Sequence, residues 1–122
     1  MRHDRVFPNS RDAVTKARHY VTGVLTDVSR ETKEAVALIV SELATNAIRH
    51  AATAFTITVD QSSRRLRIEV TDSGGGEPHL RAPRPADPTG RGLRILDALA
   101  DTWGVVSASP RKGKTVWFTL AL

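Results

Sequence analysis

Residues 42–50, ELATNAIRH, follow an almost wholly apolar run, EAVALIVS at 34–41, within one stretch of helical pattern. At about 100° per residue, positions four apart drift by only about 40°, so Glu42, Asn46 and His50 form one row along a helix. Val36, Ile39, Val40, Leu43 and Ala47 make the apolar stripe of that wheel, and the polar row runs along its edge. A carboxylate and a carboxamide beside a buried stripe need partners, because an unpaired buried polar group costs about 1–3 kcal/mol. The row reads either as a solvated helix shoulder or as one wall of a site.

The pattern on both sides of this helix sets the fold class. HDRVFP at 3–8 suits a short opening strand. Asn9 or Ser10 is placed to cap a first helix whose stripe is Val14, Ala17, Val21 and Leu25, with Gly23 near its end. Ser29 is placed to cap the second helix, expected over about 30–51, with Glu31 and Glu34 near its positive end. The period then switches to two. Phe55, Ile57 and Val59 alternate with threonines, QSSRR turns the chain, and Leu66, Ile68 and Val70 alternate again up to Thr71 and Asp72.

Residues 73–90, SGGGEPHLRAPRPADPTG, hold four glycines and four prolines, which precludes regular structure over most of the segment. Its length marks it as functional or loosely ordered, with residues 77–89 expected to form a lid. RGLRILDALAD then reads as a helix with Leu93, Leu96 and Ala100 inward. TWGVVSAS and TVWFTLAL follow as strands around the turn PRKGK. The expected architecture is α+β: a two-layer sandwich with one mixed, mostly antiparallel sheet covered by helices on one face.

With 122 residues, the chain suits a single domain over 1–122 and buries enough surface for a true core. It has no cysteine, which excludes disulfides and thiolate metal sites. No apolar run approaches a membrane span, and MRHDRVFPNS lacks the apolar core of a signal peptide, so a cytoplasmic location is expected. The net charge of +5 and pI near 10.4 raise the question of nucleic acid. The excess is mostly arginine, 14 against 4 lysines, and much of it is scattered among acidic neighbours. None of the six aromatic residues interleaves with the basic cluster at 64–67 as a base-stacking platform would. The charge is therefore read as a solvated surface, with no direct nucleic acid partner. Gly113-Lys114-Thr115 looks like the end of a P-loop, but Ala108 stands where that motif needs glycine, and a strand follows where it needs a helix.

Asp72 stands at a strand end before Gly74 and Gly76, where it either caps a turn or lets a flat ligand approach the backbone. Gly90 and Gly92 precede a helix, an arrangement that serves either as a hinge or as a phosphate-facing helix start. Each motif is weak alone. Their order is specific: E-L-x-x-N-A-x-x-H on a helix, D-x-G-x-G after a strand, a long loop, G-x-G-L opening a helix, and G-x-T before the last strand.

Taken together, these motifs resemble the GHKL (Bergerat-fold) superfamily, the ATP-binding domain shared by gyrase, heat-shock protein 90, histidine kinases and MutL. Within it, the chain looks like the small stand-alone anti-sigma factor serine/threonine kinases. The resemblance implies ATP and Mg2+ as ligands. It implies Asn46 as the magnesium ligand and Glu42 as the general base, or the group that orients the attacking hydroxyl. A carboxamide oxygen suits magnesium without adding negative charge beside phosphates, and a proton acceptor one turn away is useful at a γ-phosphate.

By the same resemblance, Asp72 accepts a hydrogen bond from the adenine amino group, with Thr115 nearby on the closing strand. Gly74 and Gly76 let the base lie against backbone, and Gly90, Arg91, Gly92 and Leu93 edge the lid. Arg91, with Arg81 or Arg84, neutralises phosphate charge. His50 takes a packing or a phosphate-side role. The chain offers no phosphoacceptor helical hairpin and no transducer domain, so a stand-alone domain is expected. The implied activity is phosphorylation of an anti-sigma factor antagonist by a protein that also binds a sigma factor. The alternative is a non-catalytic module whose ATP orders a lid that a partner reads. Similar proteins are often dimers, which leaves a homodimer open.

Overall fold

The structure is a computed structural model that describes residues 1–51, 53–73, 88–107 and 113–122, with the backbone alone for residues 50, 51 and 88–93. In chain order the elements are β1 (Arg2–Phe7), α1 (Ala13–Val24), α2 (Arg30–Ala51), β2 (Phe55–Gln61), β3 (Arg65–Asp72), α3 (Pro88–Leu99), β4 (Thr102–Ser107) and β5 (Lys114–Ala121). The strands form one open sheet in the order β1-β2-β3-β5-β4. Every pairing is antiparallel, so the mixed character expected of the sheet is absent among the described strands.

Alternation decides the two faces of the sheet. Phe55, Ile57 and Val59 of β2, Leu66, Ile68 and Val70 of β3, and Val116, Phe118 and Leu120 of β5 are all buried in one apolar cluster. That cluster also takes Ala13, Ala17 and Val21 from α1, Val36, Ile39, Val40, Leu43, Ala44 and Ala47 from α2, and Leu96 from α3. Each large aliphatic residue in it contributes about 1.5–3 kcal/mol of burial. The other face carries Thr56, Thr58, Glu69, Thr71, Thr115 and Trp117, all half-buried. There the Arg67 guanidinium lies 4.4 Å from the Trp117 ring centroid and its Nε bonds Glu69 at 3.0 Å.

The ends of the helices depart from the simplest reading of their caps. Ser29 does cap α2, its hydroxyl accepting the Thr32 amide at 3.1 Å. For α1 neither Asn9 nor Ser10 serves. Asp12 occupies the cap position without a side-chain cap bond, and the Ser10 hydroxyl donates to it at 2.7 Å. Asn9 is spent elsewhere: its amide donates to the carbonyls of Ile48 and Thr53, each at 3.2 Å, at the far end of α2. Carbonyls in the last turn of a helix have no partner within it, and a side-chain donor from another element satisfies one here.

The third helix begins earlier than its apolar pattern suggests. Pro88 opens it, and Gly90 and Gly92 fall inside its first two turns rather than ahead of it. Proline suits a first helical position, since its missing N–H is one that the helix would leave unpaired. Residues 88 and 89 of the expected lid are therefore helical, and 77–87 lie outside the described residues.

Candidate active site

Two elements bring buried polar groups to the same end of the molecule. On α2, Asn46 is only 7% exposed. It follows Leu43 by three positions and precedes Ala47 by one, so the helical period draws it into the edge of the buried stripe. Its Oδ1 is buried without a hydrogen-bond partner among the described residues. A solvated shoulder does not describe such an atom: it forgoes about 1–3 kcal/mol until something donates to it or coordinates it. Glu42, one turn earlier, is half-buried. His50 lies in the last turn of α2, and its side chain is outside the described set.

On the sheet, β3 ends at Asp72, whose side chain is 5% exposed. Residues 66, 68 and 70 point inward, so Asp72 continues the same face at its open end. One hydrogen bond ties this end to the segment just past α2, and Asn9, after β1, clamps that segment in turn. The Ser73 amide donates to the Thr53 hydroxyl at 3.3 Å, and the Asn9 amide grips the Ile48 and Thr53 carbonyls. Asn46 lies five residues before Ala51, about 7.5 Å of helix rise from the end so tied. Asn46 and Asp72 are two of the three buried polar residues among those described. The third, Thr119, has its hydroxyl bonded to Thr102. The two buried polar side chains other than Thr119 are thus found near the ends of α2 and β3, and of them the Asn46 Oδ1 is the atom without a hydrogen-bond partner among the described residues.

The opposing strand brings a residue that motif reading passed over. In the β3–β5 register Asp72 faces Lys114, and Thr71 faces Thr115. The Lys114 ammonium lies 3.3 Å from Asp72 Oδ2, while the Thr115 hydroxyl bonds Thr71 at 2.8 Å. Lys114 shares the inward parity of Val116, Phe118 and Leu120, and Thr115 has the outward parity of Trp117. Lys114 is thus the direct cross-strand neighbour of Asp72, and Thr115 stands one position along, opposite Thr71, with its hydroxyl toward the other face of the sheet. The signal was present in TVWFTL, because counting back by two from its apolar positions reaches Lys114.

Gly113 makes this arrangement possible. Its φ of +121° is a conformation that residues with a side chain rarely adopt, and a Cβ there would stand 2.6 Å from the Asp72 carbonyl oxygen. Glycine lets the backbone entering β5 lie against the end of β3. Thr53 carries no recognisable motif, while Gly113 is read from the sequence only as the glycine of G-x-T and Asn9 only as a cap candidate, so their parts in shaping the site come from the structure alone.

Of the other expected residues, Gly90, Arg91, Gly92 and Leu93 lie in the first turns of α3, with side chains outside the described set. Gly74, Gly76, Arg81 and Arg84 fall outside the described residues altogether. Among the described residues no three histidines or carboxylates gather as a metal cage. Magnesium does not need one, since it commonly takes one or two protein oxygens and completes its shell with phosphate and water. The orphaned oxygen of Asn46 fits that demand.

No helix among the described residues is long and apolar enough to cross a membrane. No curated protein matches the chain closely enough to count as a relative. The family model described as the histidine kinase-like ATPase domain matches residues 7–120, and with the antiparallel sheet, the helical layer and the Asn46–Asp72 end it places the chain in that family: this is a GHKL-type ATP-binding domain.

Proposed function

We propose that the chain is an ATP-dependent serine/threonine kinase that binds a sigma factor and phosphorylates an anti-sigma factor antagonist. The observation that carries the reading is the buried Oδ1 of Asn46, without a partner among the described residues, one turn from a half-buried carboxylate on the same helix. A domain that merely held nucleotide would have less use for Glu42.

Asp72 accepts the adenine amino group and so sets the base end of the ligand. Asn46 would hold Mg2+, which when bound neutralises phosphate charge and orients the γ-phosphoryl group. Glu42 accepts the proton of the attacking serine or threonine hydroxyl. As the new O–P bond forms, the bond to the β–γ bridging oxygen breaks, and its electron pair leaves with ADP. The proton from the hydroxyl remains on Glu42 until it is released to solvent. The apolar cluster beneath α2 keeps these groups on a rigid scaffold.

The test compares the wild type with Glu42→Ala, reading Mg-ATP affinity by calorimetry and radiolabel transfer to candidate antagonists. The kinase reading expects near-normal affinity in the variant and transfer reduced by about 10²–10⁴, the usual worth of a positioned general base. Transfer at the wild-type rate would remove Glu42 from the role of base. Binding without transfer by the wild type to any cognate antagonist would leave a nucleotide-dependent binding module in place of a kinase.

A further inference from the structure

The carboxylate that reads the base does not act alone. Asp72 and Lys114 face each other across the β3–β5 register, with Nζ 3.3 Å from Oδ2. The residue before Lys114 is Gly113, whose positive φ and lack of a side chain let its backbone lie close to the Asp72 carbonyl. Lys114 is one-third exposed, whereas the Asp72 side chain is 5% exposed. The ammonium thus stands at the open side of a buried acceptor, on the sheet face that carries the core.

A lone carboxylate at this position selects sharply. Adenine presents an amino donor at position 6, and 6-oxopurines present a carbonyl acceptor there. Two acceptors facing each other in a dry pocket are penalised, so Asp72 by itself admits adenine and rejects guanine and hypoxanthine. An ammonium carries three N–H donors, so its engagement with Asp72 does not exhaust it. On a flexible four-carbon stem it is free to turn a donor toward a ligand atom beside the adjacent carboxylate.

Resting on the reading that Asp72 meets the purine base, we infer that Lys114 is a specificity-determining residue of this pocket, supplying the donor that admits 6-oxopurine nucleotides beside ATP. The 6-amino group of adenine donates to Asp72. The 6-carbonyl of guanine or hypoxanthine accepts from Lys114, whose charge also offsets the carboxylate that the carbonyl would otherwise meet. Acceptor and donor side by side make the pocket permissive at position 6, where a carboxylate alone would be strict.

The experiment is a calorimetric titration of the full chain with Mg-ATP and Mg-ITP. ITP carries the 6-oxo group without the 2-amino group of GTP, so it isolates position 6. The wild type is expected to bind the two within about tenfold of each other. Lys114→Met should weaken ITP relative to ATP by a further factor of roughly 10–100, and Lys114→Arg, which keeps a cation, should hold the wild-type ratio. Lys114→Gln gives the same comparison if Lys114→Met fails to fold, with a smaller shift in the same direction. If the wild type prefers ATP over ITP by more than about a hundredfold, or if both neutral variants bind ATP with an unchanged ratio, the Lys114 inference fails while the Asp72 reading stands. If the wild type binds neither nucleotide, the reading of the site falls and the inference with it.

Discussion

The Thr53 hydroxyl accepts the Ser73 amide at 3.3 Å, joining the segment just past α2 to the residue after Asp72. This bond and the Asn9 clamp on the Ile48 and Thr53 carbonyls hold two buried polar side chains, on different elements, at one end of the fold. Thr53→Val keeps the branched shape and removes the acceptor. It should lower stability by about 1 kcal/mol and weaken Mg-ATP binding as well, because the end of β3 is then less firmly placed. Urea denaturation and calorimetry on the same variant check this. A stability loss with unchanged affinity would show that the tie does not position Asp72.

Asn46 is expected to be a stability liability that binding redeems. Asn46→Leu has nearly the same branched shape without the buried amide whose oxygen lacks a partner among the described residues. The variant should be at least as stable as the wild type, and up to about 1–3 kcal/mol more so. It should also lose magnesium-dependent ATP binding. Melting temperature with and without Mg-ATP separates the two effects. A variant markedly less stable than the wild type would mean that Asn46 is already satisfied in the free protein.

Gly113 should tolerate no side chain. Gly113→Ala combines a φ of +121° with a Cβ 2.6 Å from the Asp72 carbonyl oxygen. The backbone of one strand end must move, at a cost of about 1–3 kcal/mol, and it carries the Lys114–Asp72 pair with it. Both the denaturation midpoint and nucleotide affinity should fall. An alanine variant that matches the wild type in both would contradict the observed Gly113 conformation.

Thr115→Val tests the parity of β5. Its hydroxyl bonds Thr71 on the face away from the helices, so the substitution should cost about 1 kcal/mol or less and leave ATP affinity unaltered. A large loss of affinity, with the fold intact, would put Thr115 on the ligand side and overturn the assigned register.

The single tyrosine offers a clean reading of the α1–β1 contact. Tyr20 packs edge-on against Phe7, with ring centroids 5.7 Å apart, and Arg5 lies 5.5 Å over its ring. Its hydroxyl titrates above the ordinary tyrosine range, first because burial disfavours the phenolate and then because Asp4 repels it, with Arg5 opposing. A raised folded-state value means that the native state holds this proton more tightly. That contribution is present below the unfolded value near 10 and is lost as pH rises through the folded one. Ultraviolet titration should give a higher midpoint in buffer than in concentrated urea, and Tyr20→Phe should flatten the fall of stability at alkaline pH. Equal midpoints would remove the effect.

Much of this protein is decided by local pattern. The alternation of Phe55, Ile57 and Val59, and of Leu66, Ile68 and Val70, specifies strands because side chains on a pleated backbone change face at every residue. The row Glu42, Asn46 and His50 beside an apolar stripe specifies a helix of mixed edge, because 3.6 residues make a turn. Those two periods, with the order of the glycine-flanked motifs, suffice for the α+β class, for α2 within its observed bounds, and for Asn46 and Asp72 as candidates.

Tertiary structure decided what those periods leave undetermined. Whether Asn46 lies in solvent or in the core depends on what packs along the edge of α2, and helical spacing alone does not contain that. Asn9 stands where local rules favour a cap for α1, yet it serves the far end of α2, because hydrogen-bond partners are chosen by distance in space. Lys114 beside Asp72 is the plainest case. The strand parity was legible, but which residue of β5 faces Asp72 is set by the β3–β5 register, and register follows from how the apolar faces of both strands meet one core.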